Sequence, residues 1–325
     1  MAFEDLAAVV IGRNEGERLI ACLESMQSIV HCIVYVDSGS TDGSSHAAKQ
    51  RGVKVLQLDP RLPFTAARAR NEGFALVRQV RPDIQFVQFV DGDCELADEW
   101  LTAASEFMKQ QSDVAVVCGR RRERYASASI YNKLCDLEWD TPVGQAEACG
   151  GDALVRADAF ESVGGYRSQL IAGEEPELCF RLSKSGWKIW RIKAEMTRHD
   201  AAMTRFGQWW VRTVRYGYGI TQLLWLHGRT SSSLWKRQFA RSCFWGGFLP
   251  SAVVLTSLVH PLALLILAIY PLQVCRIAVA HGSMSSTSWI YAACMVLAKF
   301  AEFQGVLKFC WSGLRRQSSK IIEYK

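Results

Sequence analysis

The sequence predicts an α/β fold, a doubly wound sheet covered by helices on both faces, followed by an α-helical membrane-associated segment. Three observations predict it. Short apolar strands alternate with stretches of helical spacing in the N-terminal part. Asn14, Asp37 and Asp91 each fall where such a strand must end. From residue 231 onward the chain turns basic and carries long apolar runs. Strands spaced by helices favour parallel sheets, which bind ligands at the carboxyl ends of their strands.

Ala7–Ile11 reads as a buried strand, and Glu15–Met26 has helical spacing with Leu19, Ile20, Leu23 and Met26 on one side. Cys32–Val36 is the next strand, ending in Asp37, and residues 38–43 read as a turn. Lys54–Leu58 is a third strand, Thr65–Val80 a helix, and Phe86–Val90 a fourth strand running into Asp91. The middle of the chain, Gly119–His199, is mixed. Phe206–His227 is an aromatic, basic helix that suits a headgroup interface, with an ordinary packed helix as the plain alternative. Phe244–Ala280 is an apolar run interrupted at Pro250, His260-Pro261 and Pro271, and Trp289–Trp311 is a second run carrying Lys299, Glu302 and Lys308. A span needs roughly 20 apolar residues. The expected domains are therefore a catalytic one over 1–230 and a helical membrane-associated region over 231–325.

Charge separates the same two parts. The chain has 325 residues, 49% of them hydrophobic, a net charge of +6 and a mean hydropathy near zero. Residues 231–325 hold ten Lys/Arg against two Asp/Glu, leaving 28 Lys/Arg and 30 Asp/Glu in the first 230. Basic charge beside apolar runs points to an anionic membrane surface, and the absence of basic-aromatic interleaving argues against nucleic acid. Lys236, Arg237 and Arg241 precede the runs, and Arg315, Arg316 and Lys320 follow them, so both flanks are expected on the cytoplasmic side of an inner membrane. The eleven cysteines form no C-x-x-C pair and no Cys/His zinc spacing. With no signal peptide expected at Met1–Asp5, they read as reduced thiols facing the cytosol.

The chemistry concentrates at Asp91-Gly92-Asp93. Side chains alternate along a strand, so two carboxylates one residue apart can face the same way. Oxygen ligands at a strand end suit Mg²⁺ or Mn²⁺ gripping a diphosphate, the plain alternative being a polar turn.

Taken in order, Val9-Val10-Ile11-Gly12-Arg13-Asn14-Glu15, Val36-Asp37-Ser38-Gly39-Ser40-Thr41-Asp42-Gly43-Ser44, Ala69-Arg70-Asn71-Glu72-Gly73 and Asp91-Gly92-Asp93 resemble family 2 glycosyltransferases of the GT-A fold, across roughly residues 6–200. Gly12 stands where many members have proline, and no Q-x-x-R-W run points to a processive polymerase. The resemblance implies a mixed doubly wound sheet, a nucleotide-sugar donor, and Mg²⁺ or Mn²⁺ as cofactor. It implies that Asp37 binds the nucleotide base, that Arg13 and Glu15 frame base and ribose, and that Arg70 meets the diphosphate. It places ribose and metal at Asp91 and Asp93, with His199 as a late metal ligand. Gly150, Gly151 and Asp152 resemble the acceptor-side loop. Glu174-Glu175 stands where the family shows Glu-Asp, making Glu175 the expected general base, its pKa raised by Glu174 and Glu177. The implied activity is inverting transfer to a lipid-linked or polysaccharide-precursor acceptor. A polyprenyl-phosphate sugar synthase and a catalytically silent nucleotide-sugar-binding membrane protein are the alternatives.

Overall fold

The structure is a computed structural model that describes residues 3–280 and 285–315. Arg316 and Lys320 of the expected basic flank lie outside the described residues. The chain divides into two compact units, Met1–Ala126 with Cys135–Ala202, and Ser127–Leu134 with Met203–Lys325.

The first unit opens with β1 (Phe3–Gly12), α1 (Glu17–Gln27), β2 (Val30–Asp37), α2 (Ser44–Gln50), β3 (Lys54–Gln57), α3 (Ala66–Val80) and β4 (Phe86–Asp91). Next come β5 (Cys94–Leu96), α4 (Trp100–Gln110), β6 (Val114–Glu123), α5 (Ile130–Glu138, its residues up to Leu134 counted with the second unit), β7 (Gly144–Ala146) and β8 (Ala153–Arg156). The unit closes with α6 (Ala157–Ser162), α7 (Glu174–Lys184) and β9 (Lys188–His199). The described residues form one nine-stranded sheet ordered β3-β2-β1-β4-β8-β6-β9-β5, with β7 paired to β9. β1, β2, β3 and β4 run parallel, whereas β8 is antiparallel to both β4 and β6. The expected mixed α/β sheet is therefore present.

The central strands are apolar throughout because helices cover both faces; Ala7–Val10, Val34–Val36 and Phe86–Val90 are all buried. Thr65 caps α3, its hydroxyl accepting from the Arg68 amide at 3.0 Å. A Cβ at Gly73 would fall 2.5 Å from Val9 and 2.8 Å from Val36. Glycine is what lets α3 lie close to β1 and β2, and this close seat delivers Arg70 to the strand ends. The structure adds α2, a helix following Gly43 in the left-handed region (φ 88°), after the expected turn at 38–43.

The second unit contains α8 (Phe206–His227), α9 (Ser233–Cys243), α10 (Leu249–Ser257), α11 (Ile269–Ala280) and α12 (Ser286–Leu314). A π-helical stretch, Phe244–Phe248, joins α9 to α10 with right-handed helical backbone, so Pro250 does not interrupt the helix as expected. Proline has no N–H to give, and the π turn ahead of it, with Pro250 in the first turn of α10, accommodates that loss. Pro271 sits in the first turn of α11 and is tolerated for the same reason. The real break is at His260-Pro261, after which a 3₁₀ stretch, Pro261–Ala268, leads into α11.

Glycines set the packing of this unit. A Cβ at Gly217 of α8 would collide with the Glu302 carbonyl of α12, and one at Gly305 would collide with the Val214 carbonyl. Such backbone-to-backbone approach is how helices associate where no water drives them together. Lys299 pairs with Glu302 at 2.7 Å, and Ser242 of α9 hydrogen-bonds the same carboxylate. Pro261–Ala280 and Ser286–Leu314 are each long and apolar enough to cross a membrane. The first is almost entirely exposed, with Leu262 at 78% and Leu265 at 70%.

Candidate active site

Three strand ends build one crevice in the first unit. Gly12 pairs with Asp37 and Ile11 with Asp91, so β1, β2 and β4 terminate side by side. Asp37 is 2% exposed; its carboxylate accepts from Tyr35 Oη at 3.0 Å, the Ser40 amide at 3.1 Å and the Ser40 hydroxyl. Arg13 is exposed, its guanidinium 5.9 Å from the Phe64 ring centroid, and Glu15 pairs with Arg18 at 2.8 Å. Asn14 adopts positive φ (57°), and its Oδ1 accepts the Thr41 amide at 2.8 Å, tying the two strand-end loops together.

β4 ends at Asp91, and the chain turns through Gly92 before β5 begins at Cys94, so strand alternation does not extend to Asp93. The Asp91 carboxylate meets Arg70 Nη2 at 2.8 Å and Arg121 Nη2 at 3.4 Å. Burial alone would raise its pKa, but the two guanidinium groups outweigh burial and hold it down to about 2. Asp93 turns instead toward β9, its Oδ2 lying 3.3 Å from His199 Nε2. His199 Nδ1 faces Glu123 Oε2 at 3.5 Å. Glu123 in turn accepts the amides of Tyr125 at 3.1 Å and Ala201 at 3.0 Å.

Arg70 is not open to an incoming diphosphate as expected. It is 2% exposed and spans three carboxylates, Asp91, Glu174 at 3.2 Å and Glu175 at 3.0 Å. Its role here is to hold the strand-end carboxylate and the start of α7 together. Gly173, in the left-handed region (φ 81°), turns the chain into α7 and sets Glu174 and Glu175 in its first turn. Burial is the main force raising the Glu175 pKa; Glu174 adds to it, Arg70 opposes it, and the net result is about 7. Glu177 has no part in this. It is fully buried and paired with Arg181 at 2.6 Å.

The Gly150-Gly151-Asp152 segment divides three ways. Gly150 has open space around it, whereas a Cβ on Gly151 would lie 2.6 Å from both Arg70 Nη2 and Asp91 Oδ2. Asp152 is wholly buried rather than turned to an acceptor. It accepts the Asp91 amide at 3.0 Å, the Thr197 hydroxyl at 2.7 Å and Arg121 at 2.6 Å.

Sequence reading missed Arg121, Glu123 and Trp139. Arg121 stacks on Trp139 with 5.4 Å to the ring centroid, and Trp139 packs edge-on against His199 at 4.9 Å. Alternation along β6 was the available signal, because Arg121 and Glu123 are two apart on a strand that opens apolar.

Among the described residues, Asp93, Cys94 and His199 bring ligand atoms within 4.8 Å of one another, and Asp91, Cys94 and Asp152 do the same. A buried carboxylate and imidazole 3.3 Å apart fit a divalent ion whose remaining positions go to diphosphate oxygens. The residues present therefore suit Mg²⁺ or Mn²⁺, which Asp93 and His199 would hold, while Asp91 is engaged by Arg70 and Arg121.

Solved structures give this fold its class. A mannosyltransferase from Pyrobaculum calidifontis, in complex with GDP-Man and Mn²⁺, superposes with a TM-score of 0.61 at 15% identity, covering 95% of this chain and 87% of that one. The architecture is thus that of the GT-A glycosyltransferases. The family model described as glycosyl transferase family 2 matches residues 8–160, and that described as glycosyl transferase family group 2 matches residues 86–301. The chain belongs to the family 2 glycosyltransferases. It is 27% identical over 194 residues to the succinoglycan biosynthesis protein ExoA of Rhizobium meliloti (strain 1021), covering 54% of this chain and 57% of that protein. It is 25% identical over 227 residues to the pre-mycofactocin glycosyltransferase of Mycobacterium tuberculosis, covering 66% and 46%. The chain spans about half the length of these curated relatives.

Proposed function

We propose that this protein is a membrane-associated, metal-dependent, inverting glycosyltransferase moving a sugar from a nucleotide-sugar donor to a lipid-linked or polysaccharide-precursor acceptor. The observation that carries the reading is Glu175, a carboxylate with its pKa near 7, held by Arg70 against the strand end that bears Asp91. A general base works best with a pKa close to the working pH. Glu175 takes the acceptor hydroxyl proton as that oxygen attacks the anomeric carbon, and the carbon–oxygen bond to the diphosphate breaks on the opposite face. Asp93 and His199 would hold a divalent ion, which when bound would neutralise charge on the leaving diphosphate. Asp37, Arg13 and Glu15 line the nucleotide end of the crevice. Gly151 lets the loop it belongs to close onto the Arg70–Asp91 pair.

Two of the similar proteins support the substrate class. One was solved with GDP-Man and Mn²⁺, and another is named for succinoglycan biosynthesis. Support for the membrane comes from the exposed apolar helix Pro261–Ala280 and from Lys236, Arg237, Arg241 and Arg315 at the flanks of the apolar segments. The basic flanks support a cytoplasmic face of an inner membrane for the catalytic unit. The test is a panel of nucleotide-sugars added with Mn²⁺ to the full-length protein in detergent. At least one should raise the unfolding temperature and be turned over, and chelation should abolish both. A panel without effect on either would contradict the proposal.

A further inference from the structure

Cys94 brings a soft ligand to a site otherwise suited to a hard ion. It lies on β5, and its Cα pairs across the antiparallel ladder with His199 of β9. Directly opposed residues project to the same face, so the register alone sets thiol beside imidazole. Asp93 stands between them. Its Oδ2 is 3.3 Å from His199 Nε2, and its Oδ1 accepts the Cys94 S–H at 3.6 Å. Ligands held at about 2.0–2.3 Å around a tetrahedral ion lie roughly 3.3–3.6 Å from each other. Two of the three edges are already of that size, Asp93 to His199 through Oδ2 and Asp93 to Cys94 through Oδ1, and all three ligand atoms lie within 4.8 Å of one another. All three are buried, and His199 turns its Nε2 toward Asp93. Cys94 also reaches Asp91 and Asp152, but Arg70 and Arg121 neutralise those carboxylates.

We propose that Asp93, Cys94 and His199 form an N/O/S site that takes Zn²⁺ in competition with the Mg²⁺ or Mn²⁺ used for transfer. The competition rests on the catalytic-metal reading above, whereas the zinc site stands on its own geometry. Mg²⁺ and Mn²⁺ prefer oxygen and leave the thiol protonated. Zn²⁺ accepts thiolate, imidazole and carboxylate together. Its binding forms a Zn–S bond and breaks the S–H bond, the proton leaving to solvent. Thiolate and carboxylate then cancel the charge of the ion, and the fourth position stays open. Zinc held this way occupies the ligands that the transfer reaction needs, so it inhibits.

The test uses the full-length protein in detergent, with Co²⁺ as the optical stand-in for Zn²⁺. Wild type should show a thiolate-to-cobalt charge-transfer band that Zn²⁺ displaces. Cys94→Ser and Cys94→Ala should lack the band and bind Zn²⁺ more weakly by at least the roughly 10–100-fold that loss of an outer-sphere partner costs. A band of equal intensity in both variants would overturn the proposal by assigning it to the other cysteines. Absence of the band from cobalt-saturated wild type would overturn it whether or not the variants fold. Mn²⁺ binding to wild type in the presence of GDP or UDP, read by paramagnetic resonance, separates the two readings. Its failure would overturn the catalytic-metal reading and the competition together, leaving zinc binding to be judged by the cobalt spectrum.

Discussion

Gly150 and Gly151 look interchangeable in sequence, yet the structure gives them opposite tolerance. In Gly151→Ala the new Cβ would lie 2.6 Å from Arg70 Nη2 and from Asp91 Oδ2, about 0.8 Å short of the 3.4 Å where ordinary contact begins. Neither neighbour can yield freely. They are ion-paired to each other at 2.8 Å, and Arg70 is anchored on Glu174 and Glu175 as well. Overpacking of this kind costs about 1–3 kcal/mol. Displacing the Arg70–Glu175 pair by most of an ångström should lower turnover by on the order of 10²-fold. In Gly150→Ala the Cβ meets nothing within 4 Å, so stability and turnover should stay close to wild type. The assay is thermal unfolding together with Mn²⁺-dependent nucleotide-sugar turnover on the two single variants. Equal tolerance of both changes would refute the close approach at Gly151, and equal loss in both would show a generic loop requirement.

Asp93→Ala should abolish metal-dependent turnover and weaken Mn²⁺ binding while leaving the far-UV spectrum intact; normal Mn²⁺ affinity would remove Asp93 from the metal site. Turnover should rise with pH through about 7 as Glu175 loses its proton. Because its folded pKa is raised, Glu175 contributes stability at low pH that is lost as pH climbs through that value. Glu175→Gln should therefore flatten this fall in stability between about pH 4.5 and 7, and an unchanged stability profile would contradict the raised pKa. Gly217→Ala and Gly305→Ala should each destabilise the helical unit in detergent. Gly313→Ala, with open space around it, should not, and a uniform response of all three would argue against backbone contact between α8 and α12.

The strand-helix alternation and the positions of Asp37, Asp91 and Glu174–Glu175 were legible because each rests on local signals: apolar runs, turn residues and carboxylates at a helix start. The partners of those residues were not. Arg70 reads locally as a helical arginine available to phosphate, and only the fold shows it enclosed by three carboxylates from β4 and α7. Glu123 and Cys94 gain meaning solely from strand register, which places β6 and β5 on either side of β9 and brings both residues to His199. Asp152 was read as acceptor-side because its segment resembles the family's acceptor-side loop, yet Arg121 and Thr197 draw it inward. Pro250 was read as a break because a π turn has no sequence signature as plain as proline itself.

The most direct test of the account is turnover by Glu175→Gln, which keeps the size and hydrogen-bonding reach of the side chain but cannot accept a proton. Turnover should fall by about 10²–10⁴-fold, with Mn²⁺ and nucleotide-sugar affinity nearly unchanged and Glu174→Gln less affected. Loss confined to Glu174→Gln would move the base to the neighbouring carboxylate. Undiminished transfer by both variants would contradict base catalysis at α7 and point to a phosphate acceptor, as in a polyprenyl-phosphate sugar synthase.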